Sequence, residues 1–309
     1  MRSFSPAPVA CEELPKAEGV HSPRYVLSFD LPKGRPLVVK CGISVVDGEG
    51  AAKNLDKEIP GWDFDAVRTA AYAKWDEVLS RAEVVGADKD KRTIFTTAIY
   101  RMYLQPNNIA DADGRYRGGD GKVGKAGAYY STFSLWDTFR GAHPLYTLLV
   151  PEKIPAFVAS ELDQFARTGH LSSWSLWGRD VQCMIATHSV PPLVDACLRG
   201  LVDGSTARRV YEAVRRTLRE RHADRQKEDW DVLGRLGYYP YDGIRESASR
   251  TLECAYDDEC ARRLAEKLGE KGDAAFFAKR AANWRNVFDG KTGFARPRMA
   301  DGSWLEPFD

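Results

Sequence analysis

The pattern of apolar and polar residues divides the chain into a short β-rich beginning and a long helical remainder. Residues 24–46 alternate apolar and polar side chains, are rich in valine, and are interrupted by the segment Pro-Lys-Gly-Arg-Pro. This pattern predicts two strands joined by a turn. Because two strands do not form a stable domain alone, we expect this ribbon either to pack on the rest of the chain or to end a sheet domain.

From about residue 60 the apolar residues recur at helical spacing. Residues 63–82 have an acidic start followed by apolar side chains every three or four positions, and residues 91–104 form a second predicted helix. Further helices are predicted over residues 134–149, 152–168, 181–200, 205–222, 247–268 and 272–288. Since consecutive helices joined by short loops pack antiparallel, this order indicates an α-solenoid or a closed α/α toroid.

The loops between the predicted helices favour the toroid. A solenoid is expected to show similarity from repeat to repeat, and the sequence contains no repeat of fixed period. Instead Trp, Tyr, Asp and Arg recur between helices, in "STFSLWDT", "SSWSLWGRD", "LGYYPYDG" and "GFARPRMADGSW". Loops are where a rigid scaffold carries its binding residues, so we expect a cleft at one end of the toroid.

Charge and hydropathy argue against two classes of partner. The 309 residues include 45 Lys and Arg against 44 Asp and Glu, which gives a formal net charge of +1. Nucleic acids and anionic membranes select a strong basic excess, so neither is expected as a partner. The sequence has no apolar run of the ~20 residues that a membrane span needs, and its N-terminal residues lack the apolar core of a signal peptide.

The cysteines predict free thiols rather than a metal site. None of the six forms a Cys-x-x-Cys pair, which argues against zinc. Cys183, Cys197, Cys254 and Cys260 fall within predicted helices among apolar residues, where cysteine packs as a small hydrophobe. We therefore expect these four thiols to be buried.

The stretch "YYSTFSLWDTFRGAHPLYTLLVPE" surrounds one carboxylate and one guanidinium with aromatic rings. Asp137 follows Trp136 near a predicted helix start, where the helix dipole stabilises an acid. The same carboxylate is suited to accept two hydroxyl groups of a sugar, with a ring stacked nearby. Both interpretations of Asp137 fit the residues.

The segment "SSWSLWGRD" offers a second pair of candidate site residues. Arg179 and Asp180 follow Gly178 and precede an apolar predicted helix. They fit a helix cap with an ion pair, and they fit equally a pair of groups that face a cleft.

We expect the remaining acidic residues and histidines among the candidates to have structural roles. Glu253, Asp257 and Asp258 lie near one side of the predicted helix 247–268, where acids early in a helix favour its N-terminus; the alternative is a carboxylate that faces the cleft. His143 and His188 are expected to be packed or capping groups rather than ligands. The sequence shows no recognisable nucleophile with its base.

Five long stretches resemble glycoside hydrolase family 92: "CGISVVDGEGAAKNLDKEIPGWDFDAVR", "YYSTFSLWDTFRGAHPLYTLLVPE", "SLWGRDVQCMIATHSVPPLVDACLRGL", "SASRTLECAYDDECARRLAEKLG" and "RAANWRNVFDGKTGFARPRMADGSWLEPFD". The family consists of calcium-dependent, mostly exo-acting α-mannosidases that invert the anomeric centre and pair a β-sandwich with an (α/α)6 toroid. The resemblance implies a mainly α chain. Residues 1–59 would be the last strands of the sandwich with a linker, and residues 60–309 the N-terminal part of the toroid.

The resemblance also implies which functional residues the chain contains. Asp137 matches a family position that binds the terminal mannose, with Trp136 beside it as a further substrate-binding residue. Arg179 and Asp180, also expected to bind substrate, match a turn at the cleft. The family segments that supply the general acid, the general base and the calcium ligands have no counterpart here. Neither Glu253 nor Glu306 stands in the family's acid motif. The expectation is a chain truncated at both ends, with substrate-binding residues but with no catalytic residue or metal ligand.

The leading interpretation is therefore part of a calcium-dependent, inverting α-mannosidase of the α-1,2 type that acts on mannose-containing glycans, N-glycans among them. The chain alone is expected to be inactive. Family members are commonly secreted, periplasmic or attached to the cell surface. Two alternatives stay open: another (α/α)6 carbohydrate enzyme, of glucoamylase or trehalase type, and a non-catalytic helical scaffold or sugar-binding module.

Overall fold

The computed structural model describes residues 2–15, 22–220 and 229–308 and shows a mainly α chain. Aspartates cap several helices, since Asp47, Asp63, Asp88 and Asp203 each accept a hydrogen bond from a backbone N–H of the first turn. In chain order the helices are α1 (Gly48–Glu58), α2 (Phe64–Leu79), α3 (Lys89–Met102), α4 (Leu135–Thr138), α5 (Ala142–Leu149), α6 (Ile154–Thr168), α7 (Val190–Leu198), α8 (Gly204–Arg219), α9 (Trp230–Leu236), α10 (Ser247–Leu268) and α11 (Lys271–Ala281).

The strands are short and form two-stranded antiparallel pairs. They are β1 (Arg2–Ser5) with β4 (Val38–Cys41), β2 (Ala10–Glu13) with β3 (Tyr25–Ser28), β5 (Asn107–Asn108) with β8 (Tyr130–Ser131), β6 (Arg115–Arg117) with β7 (Val123–Lys125), β9 (Ser175–Leu176) with β10 (Arg179–Asp180), and β11 (Phe288–Asp289) with β12 (Phe294–Ala295).

The prediction that the two strands within residues 24–46 pair with each other is wrong. Both strands exist, but each pairs with a strand nearer the N-terminus, so that Leu27 lies opposite Cys11 and Val39 opposite Phe4. The result is two nested antiparallel pairs. The prolines of "SPAPV" interrupt the strand pattern between β1 and β2, because proline cannot donate a hydrogen bond to a strand ladder. The alternation that would predict these two strands is therefore broken.

The apolar spacing predicts most of the helices correctly, whereas α1 and α9 are helices it did not predict. The predicted helix 134–149 is divided at Gly141 into α4 and α5. The predicted helix 205–222 corresponds to α8, which ends at Arg219, and its last two predicted residues lie outside the described part of the chain.

The predicted helix 181–200 begins only at Val190. Two prolines, Pro191 and Pro192, occupy its first turn, where a missing N–H costs no hydrogen bond and the fixed φ suits the helix. Residues 181–189 are instead a loop. This loop exposes Cys183, so the prediction of a buried thiol is wrong there, although Cys197 and Cys254 are buried as expected.

One large apolar cluster fills the space between α5, α6, α7, α8, α10 and α11. Val190, Val210 and Leu264 are fully buried in it, and each such side chain contributes about 1.5–3 kcal/mol of burial free energy. Phe133 and Leu135 belong to the same cluster. They anchor the loop that carries Trp136 and Asp137, so the core fixes the backbone of the candidate site.

None of the helices that the structure describes combines the length and the apolar character of a membrane span.

Candidate functional site

The loop that carries Trp136 and Asp137 and the loop that carries Trp174 and Asp180 lie against each other. The N–H of Phe133 donates to the carbonyl of Ser175 at 3.1 Å. The N–H of Gly178 donates to Ser131 Oγ at 2.8 Å, and Trp174 Nε1 donates to Ser134 Oγ at 2.9 Å. These contacts join the segment before α4 to the β9–β10 turn.

Asp137 is exposed at this junction and is held through one carboxylate oxygen. Ser134 Oγ donates to Asp137 Oδ2 and accepts from Trp174 Nε1, so the two loops together orient the carboxylate. Its Oδ1 atom has no protein partner in the described ranges. A carboxylate with one anchored and one open oxygen is placed to accept hydrogen bonds from a ligand.

Trp136 and Arg140 form the second part of this turn. The Arg140 guanidinium donates to the Trp136 carbonyl at 3.1 Å and lies 5.0 Å from the centroid of the Trp136 ring and 4.6 Å from that of Phe139. The buried Nε1 of Trp136 has no partner among the residues described. The arrangement is a cation–π stack beside Asp137.

Arg179 and Asp180 point in different directions, as neighbours on a strand do. Arg179 is exposed, and its side chain forms no ion pair or hydrogen bond with the described residues. The Asp180 side chain is 4% exposed and accepts hydrogen bonds from the N–H groups of Ser173, Trp174 and Gln182. Asp180 thus shapes the loop backbone, whereas Arg179 is free to meet a ligand; a direct contact of either with substrate stays a prediction.

The buried His188, in the loop before α7, lies between two carboxylates of α10. His188 Nδ1 lies 3.1 Å from Asp257 Oδ1, and its Nε2 lies 3.0 Å from Glu253 Oε2. The other Glu253 oxygen lies 3.5 Å from the Arg140 guanidinium. Burial alone would lower the pKa of His188, but the charges of Asp257 and Glu253, together with the hydrogen bond to Asp257, outweigh it and raise the pKa to about 9.

The prediction that His188 is packed rather than a ligand agrees with its burial, but its pairing with two carboxylates was missed. The signal is present in the sequence, because Glu253 and Asp257 are four residues apart on one helix and so share a face. What the sequence does not show is that the loop before α7 inserts a histidine between them.

The other acids and His143 have structural surroundings. Asp258 is fully buried and receives two hydrogen bonds from Arg280. Glu306 pairs with Arg296 near the end of the chain at 2.7 Å. His143 is packed among aromatic rings, and burial lowers its pKa to about 4, so it is neutral.

The family resemblance implies calcium, but the described residues do not form a site that suits it. Across residues 2–15, 22–220 and 229–308, no group of three or more His, Cys, Asp or Glu side chains is arranged to hold a metal ion. Calcium takes six to eight oxygen ligands, and the described carboxylates do not supply such a set. No step of the chemistry is therefore assigned to a metal held by these residues.

Comparisons with known proteins agree with this structure. The model of the glycosyl hydrolase family 92 catalytic domain matches residues 50–309. An uncharacterized secreted glycosidase of Arthroderma benhamiae is 29% identical over 313 residues, which cover 90% of this chain and 36% of that protein.

Two solved mannosidases of Bacteroides thetaiotaomicron are similar over the whole chain. One is a family GH92 α-mannosidase with a TM-score of 0.89 and 30% identity, of which this chain covers 43%. The same enzyme has been solved in complex with mannoimidazole, at a TM-score of 0.88 and 31% identity. The other is an inverting mannosidase of family GH92 with a TM-score of 0.88 and 30% identity, of which 44% is covered.

This chain therefore spans less than half the length of these relatives. Within that span, the structural agreement confirms the mainly α fold of an (α/α)6 toroid enzyme. The domain division at residue 59 stays a prediction. The family model and the solved structures together show that the chain belongs to glycosyl hydrolase family 92, a family of α-mannosidases.

Proposed function

We propose that this chain forms part of the mannose-binding pocket of an inverting, calcium-dependent α-mannosidase of the α-1,2 type that acts on mannose-containing glycans. One observation carries the proposal: Asp137 is exposed where two loops meet, with one oxygen anchored and one open. The family membership and the mannoimidazole complex of a relative support mannose as the sugar.

The proposed role of Asp137 is to accept hydroxyl protons of the terminal mannose. The Trp174–Ser134–Asp137 chain of hydrogen bonds fixes the carboxylate before the sugar arrives, so little orientation has to be gained on binding. Trp136 supplies an aromatic surface beside it, and the exposed Arg179 is a second candidate donor to the sugar.

The general acid and the general base are proposed to lie outside this chain, as are the calcium ligands. Inversion requires two carboxyl groups about 6.5–9.5 Å apart with a water between base and anomeric carbon. Asp257 and Asp258 are buried and engaged by His188 and Arg280, and they do not offer such a pair.

A binding measurement tests the proposed pocket. Purified chain is titrated with mannoimidazole, and Asp137→Asn is compared with Asp65→Asn, which changes an exposed carboxylate on α2. A hydrogen bond to a charged group is worth about 1.5–3 kcal/mol, which corresponds to a loss of roughly 10- to 100-fold in affinity for Asp137→Asn. Equal affinity in both variants would contradict the proposal.

An activity measurement tests the assignment of the catalytic groups. The chain is incubated with an aryl α-mannoside and calcium and followed by NMR. No turnover is expected, because a general acid and a general base each contribute about 10²–10⁴-fold. Turnover that disappears in Asp137→Ala would place the catalytic carboxylates within this chain and would favour another (α/α)6 carbohydrate enzyme.

A further inference from the structure

We propose that Glu253 is a second hydroxyl-accepting carboxylate of the sugar pocket and that His188 and Asp257 hold it in position. This inference rests on the proposed function, because it assigns an additional ligand-binding residue to the same pocket.

The support behind Glu253 is a row of three side chains that begins in the core. Asp257, one turn further along α10, is 1% exposed and accepts a hydrogen bond from the N–H of Thr187 at 2.8 Å. His188 lies between the two carboxylates at 3.1 and 3.0 Å. Its ring also stacks on Phe139, with centroids 4.4 Å apart and planes 15° apart. The histidine therefore has little freedom to move.

Glu253 is the open end of this row. Its side chain is 19% exposed, and only its Oε2 atom lies against the histidine. The Oε1 atom has a loose contact of 3.5 Å with Arg140, whose side chain is 51% exposed. Both oxygens of Asp257, in contrast, are engaged inside the protein. Among the three acids of "ECAYDD", Glu253 alone has an oxygen available to a ligand.

Arg140 connects Glu253 to the turn of Asp137. The guanidinium contacts Glu253, binds the Trp136 carbonyl and packs over the Trp136 ring, so it links Glu253 to the residue next to Asp137. Arg140 lies just beyond α4, the short helix that contains Asp137. The inference is that a sugar held by Asp137 extends across this link to the open side of Glu253.

The charge of the Glu253 carboxylate suits a hydrogen-bond acceptor. Burial alone would raise the pKa of Glu253, but His188 and Arg140 outweigh it and lower the pKa below its ordinary value. An ionised carboxylate accepts hydrogen bonds and donates none, which suits sugar hydroxyls. A buried ion pair is in itself a poor source of stability compared with packed apolar groups. A row of charges that ends at a partly exposed oxygen is better explained by ligand binding.

The test compares methyl α-mannopyranoside with its monodeoxy analogues by NMR titration of the whole chain. Glu253→Gln is measured beside Glu266→Gln, which changes an exposed acid of the same helix. In the unaltered chain, removal of one particular hydroxyl should weaken binding by roughly 10-fold, because a charge-assisted hydrogen bond is lost. In Glu253→Gln the parent mannoside should bind about 10-fold more weakly than in the unaltered chain. Removal of that hydroxyl should then weaken binding further by less than about 2-fold.

The outcomes separate this inference from the proposed function. If Glu253→Gln weakens all analogues by the same factor, or leaves all affinities unchanged, the inference is overturned while mannose binding stands. If the unaltered chain binds no mannoside, both proposals fall. The unaltered chain offers a test that needs no variant: the NMR signals of its His188 ring should shift when the mannoside is added. Signals that do not move at saturation would also overturn the inference.

Discussion

His188 shows at the scale of one residue how burial and charge compete. Its pKa is about 9 because two carboxylates outweigh the effect of burial. The folded chain therefore holds this proton more tightly than the unfolded chain, in which histidine titrates near pH 6.5. The resulting stabilisation is fully present below about pH 6.5 and is lost as the pH rises through about 9.

We predict that the stability advantage of the unaltered chain over His188→Gln shrinks by about 3 kcal/mol between about pH 6 and pH 10. Urea unfolding of both proteins measures it. Groups distant from His188 that titrate in this range are shared by the two proteins and cancel in the comparison. An advantage that is constant or grows with pH would show that His188 is neutral.

Glu161 on α6 is predicted to make stability fall with rising pH as well, but for a different reason, because here burial favours the neutral form of the group. Burial raises its pKa to about 7, although Ser172 donates a hydrogen bond to it. Because the folded chain now keeps a proton that the unfolded chain releases near pH 4.5, stability falls as the pH rises from about 4.5 to 7.

Glu161→Gln should therefore be more stable than the unaltered chain by about 3 kcal/mol at about pH 8 and nearly equal to it at about pH 4. Thermal or urea unfolding at the two pH values measures this. Glu212→Gln, a change at an exposed acid of α8, serves as the control. A destabilised Glu161→Gln at the higher pH would contradict the prediction.

Individual site residues are predictable from the sequence only where local pattern decides. Asp137 beside Trp136 was identifiable as a candidate because the two are adjacent in the sequence. The pairing of Glu253 with Arg140 was not, because the partners are far apart in the chain and meet only through packing. For Asp180, the sequence predicts a position just after a turn. It does not predict that backbone N–H groups surround the carboxylate, because those groups are brought there by the fold of the loop.

At the scale of the elements, α10 joins its neighbours through one buried arginine. Arg280 on α11 donates to both oxygens of Asp258 on α10 and to the carbonyl of Leu218 on α8. Breaking a buried ion pair leaves a charge without its partner, which costs far more than losing a surface pair.

Arg280→Ala should thus lower the free energy of unfolding by about 3–5 kcal/mol. Arg263→Ala, which removes an exposed ion pair with Glu259 on α10, should cost less than about 1 kcal/mol. Denaturant unfolding compares the two variants. Equal losses would mean that Arg280 does not tie the three helices together.

The elements were predictable from apolar spacing but their boundaries and pairings were not. The 22-residue helix α10 was predicted at the residues where it is found. Apolar spacing does not predict the start of α7, because residues 181–189 are apolar enough to continue a helical pattern; the two prolines of its first turn are what mark that start. Strand pairing in the N-terminal part depends on the distant segments β1 and β2, which alternation within residues 24–46 cannot reveal.

At the scale of the whole molecule, the apolar faces of α2 and α3 are exposed. Phe64, Tyr72 and Ile94 all lie at the surface, and α2 has no buried residue. Contiguous exposed apolar side chains favour association. We therefore expect the isolated chain to self-associate at high concentration, and we expect Phe64→Lys combined with Ile94→Glu to raise its soluble concentration in sedimentation assays. A monomer without these changes would contradict the expectation.

The central claim is that the junction of the two loops binds mannose through Asp137. A crystal structure of the chain soaked with mannoimidazole tests it most directly, since hydrogen-bonded oxygens lie about 2.5–3.0 Å apart. The account predicts that sugar hydroxyls lie within this distance of the Asp137 carboxylate, with Trp136 beside the ring. A well-defined sugar bound elsewhere, with the Asp137 carboxylate still facing solvent, would contradict it.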